Sequence, residues 1–118
     1  MATKTTSKKQ TVYVLVCEWR DRHGEEDVND PQAFSSLSSA QQAMSDDVIC
    51  YLDEHDGFTD DDKLDIDSIY CVNDDMDDRL TSRKAIAKDA KKRTCYDVNV
   101  DDEGTWARWN ITKVTVND

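Results

Sequence analysis

The residues best equipped for chemistry in this sequence are carboxylates, and they crowd into its middle. Asp46, Asp53, Glu54 and Asp56 come first, then Asp60, Asp61 and Asp62, then Asp74, Asp75, Asp77 and Asp78. Carboxylates at this density can bind a divalent cation, act as acid and base, or replace the phosphates of a nucleic acid. The first two uses need particular neighbours. An EF-hand loop with Gly57 at its sixth position requires acids at its first and twelfth, where the chain has Leu52 and Lys63. What survives of that idea is a divalent-cation-responsive segment over residues 53–65.

Catalysis has little to work with. His23 and His55 are the only histidines, both beside acids, and read as exposed loop and helix-end residues. No nucleophile-elbow, zinc-protease, Walker or dinucleotide glycine pattern is present, and the chain holds only three glycines. Cys17, Cys50, Cys71 and Cys95 are too far apart for a zinc site or a C-x-x-C pair. Reduced thiols without a disulfide, no cofactor, no metal and no enzyme activity are therefore expected.

The third use of carboxylates fits the charge distribution. The 118-residue chain has a formal net charge of −11, and that charge is segregated. Residues 21–78 carry nineteen acidic and two basic groups, whereas residues 79–93 carry seven basic and one acidic. Duplex DNA carries about one charge per 1.7 Å of axis, so a protein replacing it needs many carboxylates on one face. The plainer alternative is a solvated surface that keeps the protein dissolved. In either case free nucleic acid and anionic membranes are repelled and cations, metal ions or basic proteins are the expected partners; the mimic reading narrows these to a basic, nucleic-acid-binding protein. Trp106 is a separate candidate contact, set beside Arg108 and out of phase with the apolar residues around it. Trp19 is the other aromatic of interest.

The elements that position these residues follow from periodicity. Met1 to Gln10 reads as a short disordered tail without the apolar stretch of a secretory signal. Residues 11–118 read as a single α+β domain. No apolar run approaches the roughly 18 residues of a membrane span. Thr11 to Trp19 is a strand with two apolar faces, Val12, Val14 and Val16 on one and Tyr13, Leu15, Cys17 and Trp19 on the other, so it should be central and covered on most of both sides. Phe34 to His55 is a helix capped by Ser36 or Ser38, with Leu37, Ala40, Met44, Val48, Tyr51 and Leu52 on one face. Gly57 is its natural left-handed stop.

Ser68 to Asn73 is ambiguous between strand and helical turn. Asp74 to Arg93 reads as a second helix, acids first and bases last, in the order the helix dipole favours. Thr94 to Val116 reads as a hairpin in which Tyr96 faces Trp109, Val98 faces Ala107, and Val100 faces Thr105. Val114 and Val116 break the phase, which predicts a bulge near Thr112 and Lys113. The expected architecture is an antiparallel sheet of three to four strands packed against one or two helices.

Val12-Tyr13-Val14, Phe34-Ser35-Ser36-Leu37 with Ala40 and Met44, and Trp109-Asn110-Ile111 give the chain the style of small phage and mobile-element proteins. With its acidity it resembles the anti-CRISPR and anti-restriction inhibitors, several of which mimic nucleic acid. The resemblance covers about a third of the chain and transfers no functional residue. It implies a cytoplasmic inhibitor, in a bacterial host if phage-encoded, that blocks the nucleic-acid surface of a defence nuclease. The competing expectation is an accessory interaction domain with an aromatic surface, whose acidity serves only solubility.

Overall fold

The computed structural model describes residues 9–21, 23–65, 71–72, 82–100 and 104–117. Along the chain these form β1 (Lys9–Arg20), β2 (Glu26–Val28), β3 (Gln32–Phe34), α1 (Leu37–Glu54), β4 (Cys71–Val72), α2 (Arg83–Ala90), β5 (Cys95–Asn99) and β6 (Trp106–Asn117). All strands join one antiparallel sheet in the order β2-β1-β6-β5-β4, with β3 also paired to β1. The fold is α+β. Its sheet is wider than the sequence suggested because short pieces dock on both edges. Residues 71–72 prove to be strand.

The β5–β6 hairpin has the register its alternation dictates. Tyr96 pairs with Trp109 and Val98 with Ala107, while the Val100 N–H donates to the Thr105 carbonyl at 3.0 Å. These residues share the inner face with Leu15, Cys17 and Ile111 and are buried there. Each large side chain so buried contributes about 1.5–3 kcal/mol of transfer free energy. The bulge expected near Thr112 and Lys113 is absent. β1 and β6 pair in an unbroken register from Lys9↔Asn117 to Arg20↔Trp106. Val114 and Val116 change phase because they belong to the outer face, opposite Val12 and Gln10, where they are exposed.

That outer face bears on a second expectation. β1 is interior to the sheet as expected, and its inner face is the more deeply covered of the two among the described residues. Leu15 and Cys17 are buried, whereas Val12, Val14 and Val16 remain half-buried. Lys9 and Gln10, assigned by sequence to the tail, extend β1.

α1 begins at the Ser36 cap, whose Oγ accepts the Ser39 N–H at 3.2 Å. Ala40, Met44, Val48 and Leu52 are fully buried against the sheet. Gln41 is buried too, and its Nε2 donates to the Arg93 carbonyl at 3.0 Å. The left-handed stop is Asp56 (φ 54°), not Gly57. Gly57 N–H donates to the Leu52 carbonyl and Asp56 N–H to the Asp53 carbonyl, the paired bonds of a Schellman ending. Asp tolerates this conformation better than most residues, since its short polar side chain can bond locally.

α2 is shorter than the predicted Asp74–Arg93 helix. Ser82 is in extended conformation and caps it, accepting the Ala85 N–H at 3.0 Å. Asp74, Asp75, Asp77 and Asp78, expected in the first turn, lie outside the described residues. Its buried residues are Ile86 and Ala90, four apart on one face. Asp89 joins α2 to β5: it accepts from Tyr96 Oη and forms an ion pair with Arg93. Burial, then the hydrogen bond to Asp89, raises the Tyr96 pKa well above the usual tyrosine range. Among the described residues no helix is long and apolar enough to cross a membrane.

Candidate functional site

The carboxylates chosen from sequence divide into three groups. Asp46, Glu54, Asp56, Asp60 and Asp61 are exposed, and none of these five meets a cation among the described residues. Asp53 and Asp62 are exposed but engaged. The Arg83 guanidinium grips Asp53 with both terminal nitrogens and donates through Nε to Asp62 at 2.8 Å. It also lies 4.3 Å above the Phe58 ring. This clamp ties the start of α2 to the end of α1 and to the 58–64 turn, which closes through Phe58↔Leu64 bridging. Arg83 holds the Asp53 carboxyl below the ordinary aspartate range, chiefly by hydrogen bonding. Asp53 and Asp62 therefore serve the fold. The third group, Asp74, Asp75, Asp77 and Asp78, lies outside the described residues.

The exposed acids concentrate where backbone electrostatics are already negative. The last turn of α1 has no basic residue, yet carries Asp53 and Glu54, with Asp56, Asp60 and Asp61 just beyond. A helix C-terminus bears about half a negative charge, so acids there oppose the dipole by about 0.3–1 kcal/mol each at exposed positions. Arg83 offsets part of this repulsion, and the rest of the field faces solvent.

A second feature lies between α1 and the inner face of β1. Cys17, Trp19, Asn29, Asp47, Cys50, Tyr51, Glu54 and Trp109 line a cleft of about 320 Å³. Trp19 is fixed by its indole N–H, which donates to Asn29 Oδ1 at 3.1 Å. Tyr51 meets Trp109 edge-on, with ring centroids 5.5 Å apart. Trp109 is only 1% exposed, and its buried Nε1–H completes no hydrogen bond of full geometry. It still lies close enough to Asp47 to oppose the rise that burial imposes on that carboxyl; burial prevails, and the Asp47 pKa is raised. The Cys17 thiol is pushed up to about 11 by burial, then by the charges of Asp47 and Glu18. The Cys50 thiol is raised mainly by Glu54, to which it donates at 3.8 Å.

Of this set, sequence reasoning singled out Glu54 among the carboxylates and Trp19 among the aromatics. The available signal was spacing: 47, 50, 51 and 54 form one helical stripe, and 17 and 19 share a strand face. That the stripe would meet Trp19 depends on how α1 crosses the sheet, which no local pattern encodes. Trp106 is on the outer face as its phase required, with Arg108 at 5.4 Å from its ring centroid and paired to Asp97. Among the described residues no group of three or more His, Cys, Asp or Glu is arranged to hold a metal ion. No family model matches the chain, and comparisons with curated proteins and with solved structures found no match either.

Proposed function

We propose that this chain is a non-enzymatic, cytoplasmic binding protein whose acidic end occupies a basic, nucleic-acid-binding surface on a protein partner. The supporting observation is the crowding of Glu54, Asp56, Asp60 and Asp61 at the negative end of α1, where Arg83 pairs with Asp53 and Asp62 and none of these four acids meets a cation among the described residues. Folding alone would favour basic residues there. A surface selected only for solubility would have no reason to stack acids against a dipole. Opposite Lys and Arg, the same arrangement gives fast, charge-steered association. Asp46, on the exposed side of α1, extends the negative surface, and Asp74, Asp75, Asp77 and Asp78 add four more carboxylates to the sequence. A defence nuclease of a bacterial host is the kind of partner this chemistry suits.

The test is an affinity capture washed in rising salt, followed by kinetics on the recovered partner. Replacing Asp56, Asp60 and Asp61 together by Asn should slow association at least tenfold and leave dissociation nearly unchanged. DNA or RNA should compete for the partner without binding the protein itself. A complex that forms equally well in high salt and together with nucleic acid would rule this out. It would favour the aromatic reading, supported by the partly exposed Trp106 and the exposed Val114 and Val116 on the outer face. In that case Trp106→Ala should abolish capture.

A further inference from the structure

The cleft between α1 and β1 combines features that the acidic surface lacks. It has walls of Trp19, Tyr51 and Trp109, carboxylates at Asp47 and Glu54, and a volume of about 320 Å³. That volume is at the lower end of small-ligand sites, which span about 300–1,000 Å³. Among the described residues nothing basic lines it. Two carboxylates beside aromatic rings, with no cation between them, form the negative half of a recognition pair. Ring faces attract cations through their quadrupole, and the attraction strengthens when water is excluded.

The state of the lining groups points the same way. Asp47 is half-buried and has no described cation to offset the loss of water, and its raised pKa reports that cost. The Trp109 Nε1–H, a donor that only an acceptor can satisfy, lies beside the same carboxylate, whose remaining lone pairs stay open to a cation. Trp19, by contrast, is anchored through Asn29, which keeps the wall in place when the cleft is empty.

We infer that this cleft is a receptor for an organic cation, an alkylammonium or alkylguanidinium group, held by Asp47 and Glu54 against Trp19, Tyr51 and Trp109. The cation can be the end of a Lys or Arg side chain on the basic partner, in which case the inference rests on the function proposed above. Alternatively it is a free small amine. The recognition chemistry is the same, and the size of the cleft suits either. Glu54 then contributes on two sides, to the acidic surface and to the cleft, whereas Asp47 belongs to the cleft alone.

The experiment needs no partner, so its failure is separable from failure of the acidic-surface reading. The purified protein is titrated with butylammonium and butylguanidinium chlorides, with sodium chloride and sodium butyrate as controls, while the indole N–H resonances of its three tryptophans are followed. The Trp19 and Trp109 signals should shift saturably with the organic cations, and Trp106 should not. Asp47→Asn, which removes no packing, should weaken binding at least fivefold, and Trp19→Ala should do the same with Trp19→Phe partly restoring it. Amide spectra confirm that each variant is folded. An N-acetyl-lysine amide or N-acetyl-arginine amide that binds more tightly than the simple alkyl cations assigns the cleft to a partner side chain; the reverse order assigns it to a free amine. Shifts that sodium chloride reproduces, or binding that survives Asp47→Asn undiminished, would overturn the inference.

Discussion

The two faces of the sheet are built from the same kinds of residue and have different fates. On the inner face Leu15, Tyr96, Val98, Ala107 and Trp109 are buried beneath α1 and its neighbour α2. On the outer face Val12, Val14, Val16 and Trp106 are half-buried, and Val114 and Val116 are exposed. Apolar composition thus states what a face can bury, while coverage depends on how many helices the chain supplies and on which side they cross. Here both described helices serve one side.

The contrast is most easily broken with the two paired tryptophans. Trp109→Ala should destabilise the protein by about 3–5 kcal/mol, as removal of a buried aromatic does. Trp106→Ala should cost clearly less, because a partly exposed side chain has less burial to lose. Urea unfolding midpoints compare the two losses, and equal losses would mean that the outer face is covered after all. Next in size, Tyr96→Phe should cost about 1.5 kcal/mol, the low end for a hydrogen bond to a charged group. The corresponding hydroxyl-sized change on the outer face, Val114→Thr, should stay within about 0.5 kcal/mol.

A smaller effect separates two aspartates of α1 by sign. Asp53 has a lowered pKa, so its pairing with Arg83 stabilises the fold above the unfolded aspartate value, near 3.8, and is lost as pH falls through the lower folded value. Asp53→Asn should therefore destabilise at neutral pH, with the difference from wild type closing below about pH 4. Asp47 has a raised pKa, so its favourable contribution exists below the unfolded value and disappears as pH rises through the folded one. Asp47→Asn should be neutral or stabilising at pH 7, by under about 1 kcal/mol after allowing for its partial exposure. Thermal melts of both variants from pH 3 to pH 7 check the crossing signs.

The smallest test concerns thiols. Cys95 and Cys50 are exposed and Cys17 is buried, all without a disulfide. Cys95 should alkylate first, Cys50 more slowly beside Glu54, and Cys17 only on unfolding. Early modification of Cys17 would show that the cleft opens on the timescale of labelling.

What the sequence disclosed follows the reach of each signal. The hairpin register was legible because Tyr96, Val98, Ala107 and Trp109 alternate in one phase with a turn between them. α1 was legible from a serine cap and a single apolar stripe. β2, with Glu26 and Asp27, carried no strand signal, because an edge piece owes its pairing to β1 and has nothing to bury. The phase change at Val114 was real, but a strand apolar on its outer side produces it as readily as a bulge does. The Arg83 clamp joins residues 53, 62 and 83, and the cleft joins strand, loop and helix. The clamp leaves no mark in any local window, and of the cleft only the two separate stripes show, not their meeting.

The long β1–β6 ladder also fixes an order of events. It pairs residues 9–20 with residues 106–117, so the strand that begins the described fold is completed by the strand that ends it. Ala107, Trp109 and Ile111 come from that last strand and occupy the centre of the core. A nascent chain that has not yet released residues 106–117 from the ribosome has no partner for the long edge of β1 and no Trp109 to seat beneath Tyr51. Closing so distant a pair also carries the loop-entropy cost that slows proteins dominated by long-range pairing. Folding is therefore deferred until synthesis has passed β6, and until then the alternating valines of β1 depend on their own brevity, or on chaperones, to stay out of other chains' sheets.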